Sequence, residues 1–178
     1  TGNNVTNEDV IRSEMLVDEG EAFSSVLLNK SINNLKAKRI FGSVDHDVIE
    51  GSDTNLRVIK VDVEEKATGL ITAGAGVGTT GTTLSFAVEE NNFLGRGVQL
   101  HSSAEISEES IRGRFSVNNP NYKYSGNSLS FTAESSKIDR LDKSGYESTE
   151  TGFAIGTRFQ QYEDVYLSPN ISLYYDDV

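Results

Sequence analysis

The chain contains no cysteine, which excludes a disulfide framework and thiolate chemistry and leaves the compartment open. It has two histidines, His46 and His101, and neither has a partner at metal-ligand spacing. No stretch approaches the ~20 consecutive apolar residues of a membrane-spanning helix. Basic residues form no cluster and the formal net charge is −11, which argues against nucleic acid, whose partners usually carry a positive face. A leader segment is also lacking. The chain begins TGNN without a methionine, however, and reads as an excised piece, so that absence excludes nothing.

Catalytic signals are equally thin. Glu108 and Glu109 are adjacent, so their side chains diverge in an extended segment and make a poor acid/base pair. Asp139, Asp142 and Ser144 do not have the spacing of a calcium loop. No serine has a visible histidine and acid neighbourhood. Neither an enzyme nor a cofactor or metal site is expected.

What is present divides into two halves with different grammar. Residues 1–66 mix helix and strand. Thr6 is a candidate N-cap for a helix over NEDVIRSEMLV, which would group Val10, Ile11 and Met15, and DEGE breaks it at Gly20. A second helix is expected from about Phe23 to Arg39, with Leu28, Ile32 and Leu35 on one face and Gly42 ending it. Two strands follow, SVDHDVI and LRVIKVDVEE, joined by a turn at EGSDTN. Two strands under a helix pair are marginal, so a further strand before Thr1 is expected.

From Gly69 onward there is no helical period. Seven alternating runs appear, at about 69–78, 82–90, 97–106, 111–118, 128–137, 150–159 and 164–175. Each is near the ~9–11 residues with which a tilted strand crosses a bilayer. Each has one apolar face, such as Leu84, Phe86 and Val88, and one polar face, such as Arg112, Arg114 and Ser116. Arg112, Arg114, Arg158, Glu105 and Glu134 read as cross-strand pairs on the polar face. A soluble sandwich or small barrel would turn the apolar face inward, and a transmembrane barrel would turn it out to lipid.

The turns favour lipid. The second, fourth and sixth connections are NNFLGRG, NPNYKYSGN and QQYED, and they carry or adjoin Phe93, Tyr122, Tyr124, Phe159, Tyr162 and Tyr166. The first, third and fifth are TTGT, SEES and DRLDKSGYES, with Tyr146 as their one aromatic. In an up-and-down sheet alternate turns share an end, so the aromatics gather at one rim, as in a belt at a membrane interface.

One motif points elsewhere. GVGTTG, Gly76 to Gly81, spells the G-x-G-x-x-G of dinucleotide-binding loops. That loop must open a helix, whereas TTLSFAVEE alternates as a strand, so no nucleotide is expected. Gly74, Gly76 and Gly78 instead fall on the polar face of the first run. They either weaken that strand's packing so that it bends easily, or make room for a plug or a barrel corner.

Taken in order, GNNVTNEDVIRSEM, DEGEAF, FGSVDHDVIEGSDTNLRVIKVDVEEK, TGLITAGAGVGTTGTTLSFAVEENNFLGRG and SVNNPNY resemble the BamA family, central subunits of the outer-membrane β-barrel assembly machinery. The resemblance covers essentially the whole chain. It implies an α+β POTRA domain over 1–66, the last of a periplasmic array and trimmed of its first strand. An all-β antiparallel meander over 67–178 follows, about seven strands of an incomplete transmembrane barrel. It implies an outer-membrane protein with its N-terminal domain in the periplasm, which folds and inserts barrel proteins by strand addition, without nucleotide. Leu70, Ile71, Thr72, Ala73, Gly74, Ala75, Gly76 and Val77 would form the lateral seam that takes a client strand. Arg12 and Glu19 match positions that contact an accessory lipoprotein, although ordinary solvated charges read equally well there. The implied partners are accessory lipoproteins, unfolded outer-membrane clients and the lipid bilayer. The alternatives are a POTRA-barrel secretion transporter and a soluble β-rich binding module.

Overall fold

The computed structural model describes residues 1–52, 56–78 and 81–178. The centre of the expected EGSDTN turn, 53–55, and the start of the TTGT tip, 79–80, lie outside the described residues. The chain divides into two units. One comprises Thr1–Thr68 together with Asn91–Gly97, and the other Gly69–Glu90 with Val98–Val178.

In the first unit, helix α1 spans Glu8–Arg12 and helix α2 spans Ser25–Ala37. Helix α1 is shorter than the 7–17 expected. After Arg12 the bonds tighten to i→i+3, with Glu14 N donating to Ile11 O at 3.2 Å and Met15 N to Arg12 O at 3.0 Å, and the helix ends. Its N-cap position is Asn7, which makes no side-chain cap bond. Thr6 does not cap it, because the Thr6 hydroxyl accepts from Asn92 instead, at 2.8 Å. Helix α2 starts at Ser24, whose Oγ accepts from Leu27 N. It buries Leu28, Ser31, Ile32 and Leu35, a single stripe at helical spacing.

Gly42 does not end α2. Arg39 does, by taking a left-handed φ of 59°. Gly42 lies inside strand β1, Phe41–Glu50, at the register shift between Phe41 and Ser43, and acts as the extra residue of a bulge. Strand β1 pairs antiparallel with β2, Arg57–Glu65. The core is Val10, Ile11, Leu28, Ile32, Leu35, Ile40, Phe41, Val44 and Val63, with Met15, Val17, Ile59 and Val61 against it.

The second unit is an antiparallel meander. Strands β3 Gly69–Gly78, β4 Gly81–Phe93, β5 Val98–Ser107, β6 Ser110–Asn119, β7 Ser128–Arg140 and β8 Tyr146–Tyr162 follow one another, and each neighbours the next. The seventh run, expected at 164–175, is divided into β9 Val165–Leu167 and β10 Asn170–Asp177, both paired with β8. Pro169 causes the division. It has no N–H for the ladder, while its carbonyl accepts from Thr157 N at 3.1 Å. Two helical turns also lie where no helix was expected, a 3-10 turn at Tyr122–Tyr124 and helix α3 at Leu141–Ser144. Both are single turns inside connections, too short for a hydrophobic period to form.

The register lines apolar residues up across the sheet. Val117, Phe131, Ile155 and Ile171 form one row, and Phe115, Ala133, Phe153 and Leu173 form another. These rows are uncovered: Ile155 is 54% exposed and Leu173 61%. Every buried apolar residue described belongs to the first unit. Among the described residues the greasy face of the meander therefore builds no buried core within its own unit.

Ser31 supports the first unit in a way its polar character hides. It is wholly buried, donating to Leu27 O at 2.8 Å and accepting from Leu16 N at 2.8 Å. Ser31→Ala strands the Leu16 N–H and should cost about 1–2 kcal/mol. Hydrogen exchange at the α2 amides, faster by the matching factor, checks this.

Candidate functional site

Strand β3 is the end strand of the sheet. It pairs with β4 on one edge, Gly69 against Glu90 through Gly78 against Gly81, and among the described residues no strand pairs with its other edge. All of Leu70, Ile71, Thr72, Ala73, Gly74, Ala75, Gly76 and Val77 are exposed. Ile71, Ala73 and Ala75 stand opposite Val88, Phe86 and Leu84 on the apolar face, and Gly74 and Gly76 opposite Ser85 and Thr83 on the polar one. A Cβ at Gly76 or Gly78 would meet nothing within 4 Å, and one at Gly74 would press on Ser85 Oγ. Space does not require glycine at 76 and 78. What these residues do is leave the polar face of the strand without side-chain grip on β4 at their positions.

The far side of the sheet is built the opposite way. Ser103, Arg114, Glu134, Gly152 and Tyr174 form one continuous cross-strand row on the polar face. Arg114 Nε and Nη2 reach Glu134 Oε2 at 3.0 and 2.8 Å, and Tyr174 Oη donates to Glu134 Oε1 at 2.8 Å. The tyrosine gets there by lying across Gly152, where an added Cβ would come within 2.2 Å of its Cδ1. Arg112 stands 3.6 Å from Glu105 one row away, and Arg140 bonds Glu109 at 2.9 Å. Arg158 instead stacks on the Tyr166 ring, its Cζ 4.4 Å from the centroid. Glu108 turns its carboxylate to Thr82 N at 3.2 Å.

The aromatic residues take up turn positions. Phe93 closes β4 at 42% exposed, and Tyr122 and Tyr124 sit in the β6–β7 connection. Tyr162 ends β8 and Tyr166 lies in β9, both exposed, with Phe159 half-buried beside them. His46 lies on β1 opposite Val61, and His101 Nδ1 is 3.4 Å from Glu89 Oε1. Among the described residues no group of three or more His, Cys, Asp or Glu is arranged to hold a metal ion.

In the first unit a groove of about 900 Å³ is lined by α1 with its following loop and by strand β2. Arg12, Glu8 and Glu19 stand at its rim, and Ile11, Met15, Phe23 and Val58 line it. Arg12 Nε meets Glu8 Oε1 at 2.6 Å and Nη1 meets Glu19 Oε1 at 3.0 Å. Bonding first to Glu8 and then to Glu19 raises the arginine pKa. All three groups are well exposed, so the cluster adds little stability and leaves charge at the surface. Thr1 lies on the β2 edge, its N–H donating to Val61 O and its carbonyl accepting from Val63 N, the pattern of a parallel ladder.

Glu65, at the end of β2, was not singled out in the sequence, and it organises the entry to α1. Its carboxylate accepts from the N–H groups of Asn4, Val5 and Thr6 at 2.9, 3.0 and 2.6 Å. Burial pushes its pKa up, but the Thr6 side chain and these backbone bonds outweigh burial and hold it at about 2. Only an i to i+59 contact reveals this role, and a single sequence carries no signal for it.

With this geometry in place, the comparisons define the class. A family model described as "Surface antigen variable number repeat", the POTRA model, matches residues 1–66, and one for the "Omp85 superfamily domain" matches 92–178. The chain therefore joins a POTRA domain to strands of an Omp85 outer-membrane barrel. It is 27% identical over 161 residues to the outer membrane protein assembly factor BamA of Neisseria meningitidis serogroup B, covering 87% of this chain and 20% of that one. It is 37% identical over 114 residues to a Treponema pallidum protein provisionally named an outer membrane protein assembly factor, covering 61% of this chain and 14% of the other. The crystal structure of BamA from Haemophilus ducreyi lacking POTRA domains 1-3 superposes with a TM-score of 0.80 at 23% identity, covering 98% of this chain and 34% of that one. CdiB from Acinetobacter baumannii shares the fold more distantly, with a TM-score of 0.53 at 15% identity, covering 96% and 35%. These matches support a BamA-family fragment of the Omp85 superfamily, and its place is the outer membrane with the N-terminal domain in the periplasm. It spans 14–20% of the length of these two relatives.

The Glu65 clasp makes the first unit acid-sensitive. Because folding depresses this pKa, the stabilisation is complete above the ordinary value of about 4.5 and is lost as pH falls toward about 2. For this half-exposed group the loss should be about 1–2 kcal/mol. Glu65→Gln should flatten that part of the stability profile, as followed by exchange of the Thr6 and Val10 amides between pH 5 and pH 2.5.

Proposed function

We propose that residues 1–66 are the last POTRA domain of a periplasmic array and that 67–178 are the first strands of the barrel of an outer-membrane assembly factor. The parent protein folds and inserts barrel proteins without catalysis or nucleotide. Strand β3 is its seam, to which an unfolded client adds a strand through main-chain hydrogen bonds. Recognition of that kind tolerates many client sequences, because every extended chain presents the same N–H and C=O row.

The observation that carries this reading is β3 itself: among the described residues it is an end strand exposed along its whole length and, unlike the other end strand β10, it is built from small residues. An edge of this sort is a template for strand addition. The names of the relatives and the likeness to a BamA structure support the same reading. Secretion of a passenger through the pore of a related POTRA-barrel protein remains the alternative, since it uses the same architecture.

Gly76→Val in the full-length parent tests the seam. A Cβ there has open space, so the substitution stiffens β3 without a clash. Client insertion into proteoliposomes should slow several-fold while the barrel remains folded. An unchanged rate removes the flexible-seam role.

We also assign Arg12 and Glu19 to contact with an accessory lipoprotein, supported by their exposed position at the groove rim. Glu19→Lys breaks the pair and reverses the charge. Co-purification of the lipoprotein should fall several-fold, and retention at the parental level would leave Glu19 an ordinary solvated charge.

A further inference from the structure

Glu108 and Glu109 form the middle of the turn between β5 and β6. The divergence that spoils them as an acid/base pair sends them to opposite neighbours. Glu109 faces β7. Its Oε2 accepts from Arg140 Nε at 2.9 Å, its carbonyl accepts from Asp139 N at 2.8 Å, and its side chain is 14% exposed. Within the turn Ser110 N donates to Ser107 Oγ at 3.0 Å, and the two hydroxyls stand 2.8 Å apart. The turn is therefore fixed at its base and on its β7 side.

Glu108 faces the other way, to the start of β4, where its Oε1 accepts from Thr82 N at 3.2 Å. Thr82 stands opposite Val77 in the β3–β4 register, and β5 lies on the side of β4 away from β3. The bond therefore holds β4 from behind, at the far end of the seam strand. The last glycine of GVGTTG has its reason here. Gly81 takes a φ of 91°, and a Cβ on it would lie 2.6 Å from both carboxylate oxygens of Glu108. Gly76 and Gly78 have open space, whereas Gly81 is required both by its backbone and by the close approach of the carboxylate.

This end of the hairpin has little else to steady it. Its last three pairs are Gly76 with Thr83, Val77 with Thr82 and Gly78 with Gly81, so β3 contributes one side chain to them. Among the described residues β4 is the one strand that β3 pairs with. The two glutamate bonds also differ in kind. The Glu109 bond joins two charges and is sheltered, whereas Glu108 and Thr82 are both exposed, so water competes for their bond.

We propose that Glu108 is a positioning residue for the seam: a clasp that keeps the far end of the β3–β4 hairpin in its ladder and so keeps the edge of β3 extended to Gly78. With the clasp closed, the whole of β3 offers its N–H and C=O row to an added strand. When water replaces the carboxylate at Thr82 N, the pairs at 76–78 fray and the usable edge shortens. The use of the clasp rests on β3 being the seam, as proposed above, while its existence does not.

The test uses the full-length parent protein in lipid nanodiscs, with a spin label on Val77→Cys beside the clasp. This chain contributes no competing thiol. Glu108→Ala removes the carboxylate, Glu108→Asp keeps the charge but stops one methylene short, and Glu108→Gln keeps the accepting oxygen without the charge. Glu108 is exposed, so none of the three disturbs packing. In the alanine and aspartate variants the label should tumble about twofold faster and the Thr82 amide should exchange about tenfold faster, with the glutamine variant near the parent. Parental label mobility in Glu108→Ala overturns the proposal, and so does loosening in Glu108→Gln equal to that in Glu108→Ala. Client insertion, measured without the label, judges the seam separately and should slow in Glu108→Ala and not in Glu108→Gln. A loosened β3 with unchanged insertion upholds the clasp and counts against β3 as the strand that takes the client.

Discussion

A sheet that puts its hydrophobic side chains on one face and covers them with nothing must find an apolar phase for them. That constraint governs the second unit. Burial is worth roughly 25 cal/mol per Å² of apolar surface, so whole rows of Phe, Ile, Leu and Val left facing water would forfeit the main driving force of folding. Among the described residues the second unit has no helix layer and no second sheet of its own to supply the cover. Lipid supplies it, and the hydrogen-bonded ladder is then required as much as the greasy face, because hydrocarbon offers no partner to a free N–H or C=O. Period-2 alternation, tight turns and uncovered aromatics are consequences of that one solvent.

The same requirement makes an unpaired edge informative. In water an edge strand is a hazard that charged residues or bulges blunt. Strand β3 has none of these from Leu70 to Val77, and it has glycine where side chains could have gripped β4. At the other side of the sheet, Arg114, Glu134 and Tyr174 link β6, β7 and β10 across the gap left by Gly152. Glycine thus does opposite work at two places. In β3 it withholds contact, and in β8 it admits a ring that ties three neighbours together.

Sequence reading captured what depends on periodicity. The stripe of Leu28, Ile32 and Leu35, the alternating runs and the cross-strand charges of Arg112 and Arg114 are all local or nearly local patterns. Two of the misreadings share a cause, a residue whose local preference was overruled by a distant partner. Thr6 has cap chemistry, but its hydroxyl was claimed from 86 residues away. Gly42 looked like a helix stop and proved to be a bulge set by β2, while Arg39 took the left-handed position instead. Glu65, Gly152 and Tyr174 gave no signal, because their roles exist only once strands far apart in the chain are in register. Pro169 is the exception: the means to foresee the split at 168–169 were local, since proline cannot donate to a ladder.

The N-terminal unit shows how little is needed to join such elements. Its core is small, nine buried apolar residues among those described, and much of its ordering comes from directional bonds: Ser31 between α2 and the loop before it, Glu65 on three successive amides, Asn92 between Thr6 and Gly97. Such bonds hold geometry tightly but have a short range, and a shift of about 1 Å breaks them outright. Hydrophobic contacts, being non-directional, would yield gradually and let the unit creep. The geometry of the unit therefore depends on a few residues whose bonds its small apolar core cannot replace.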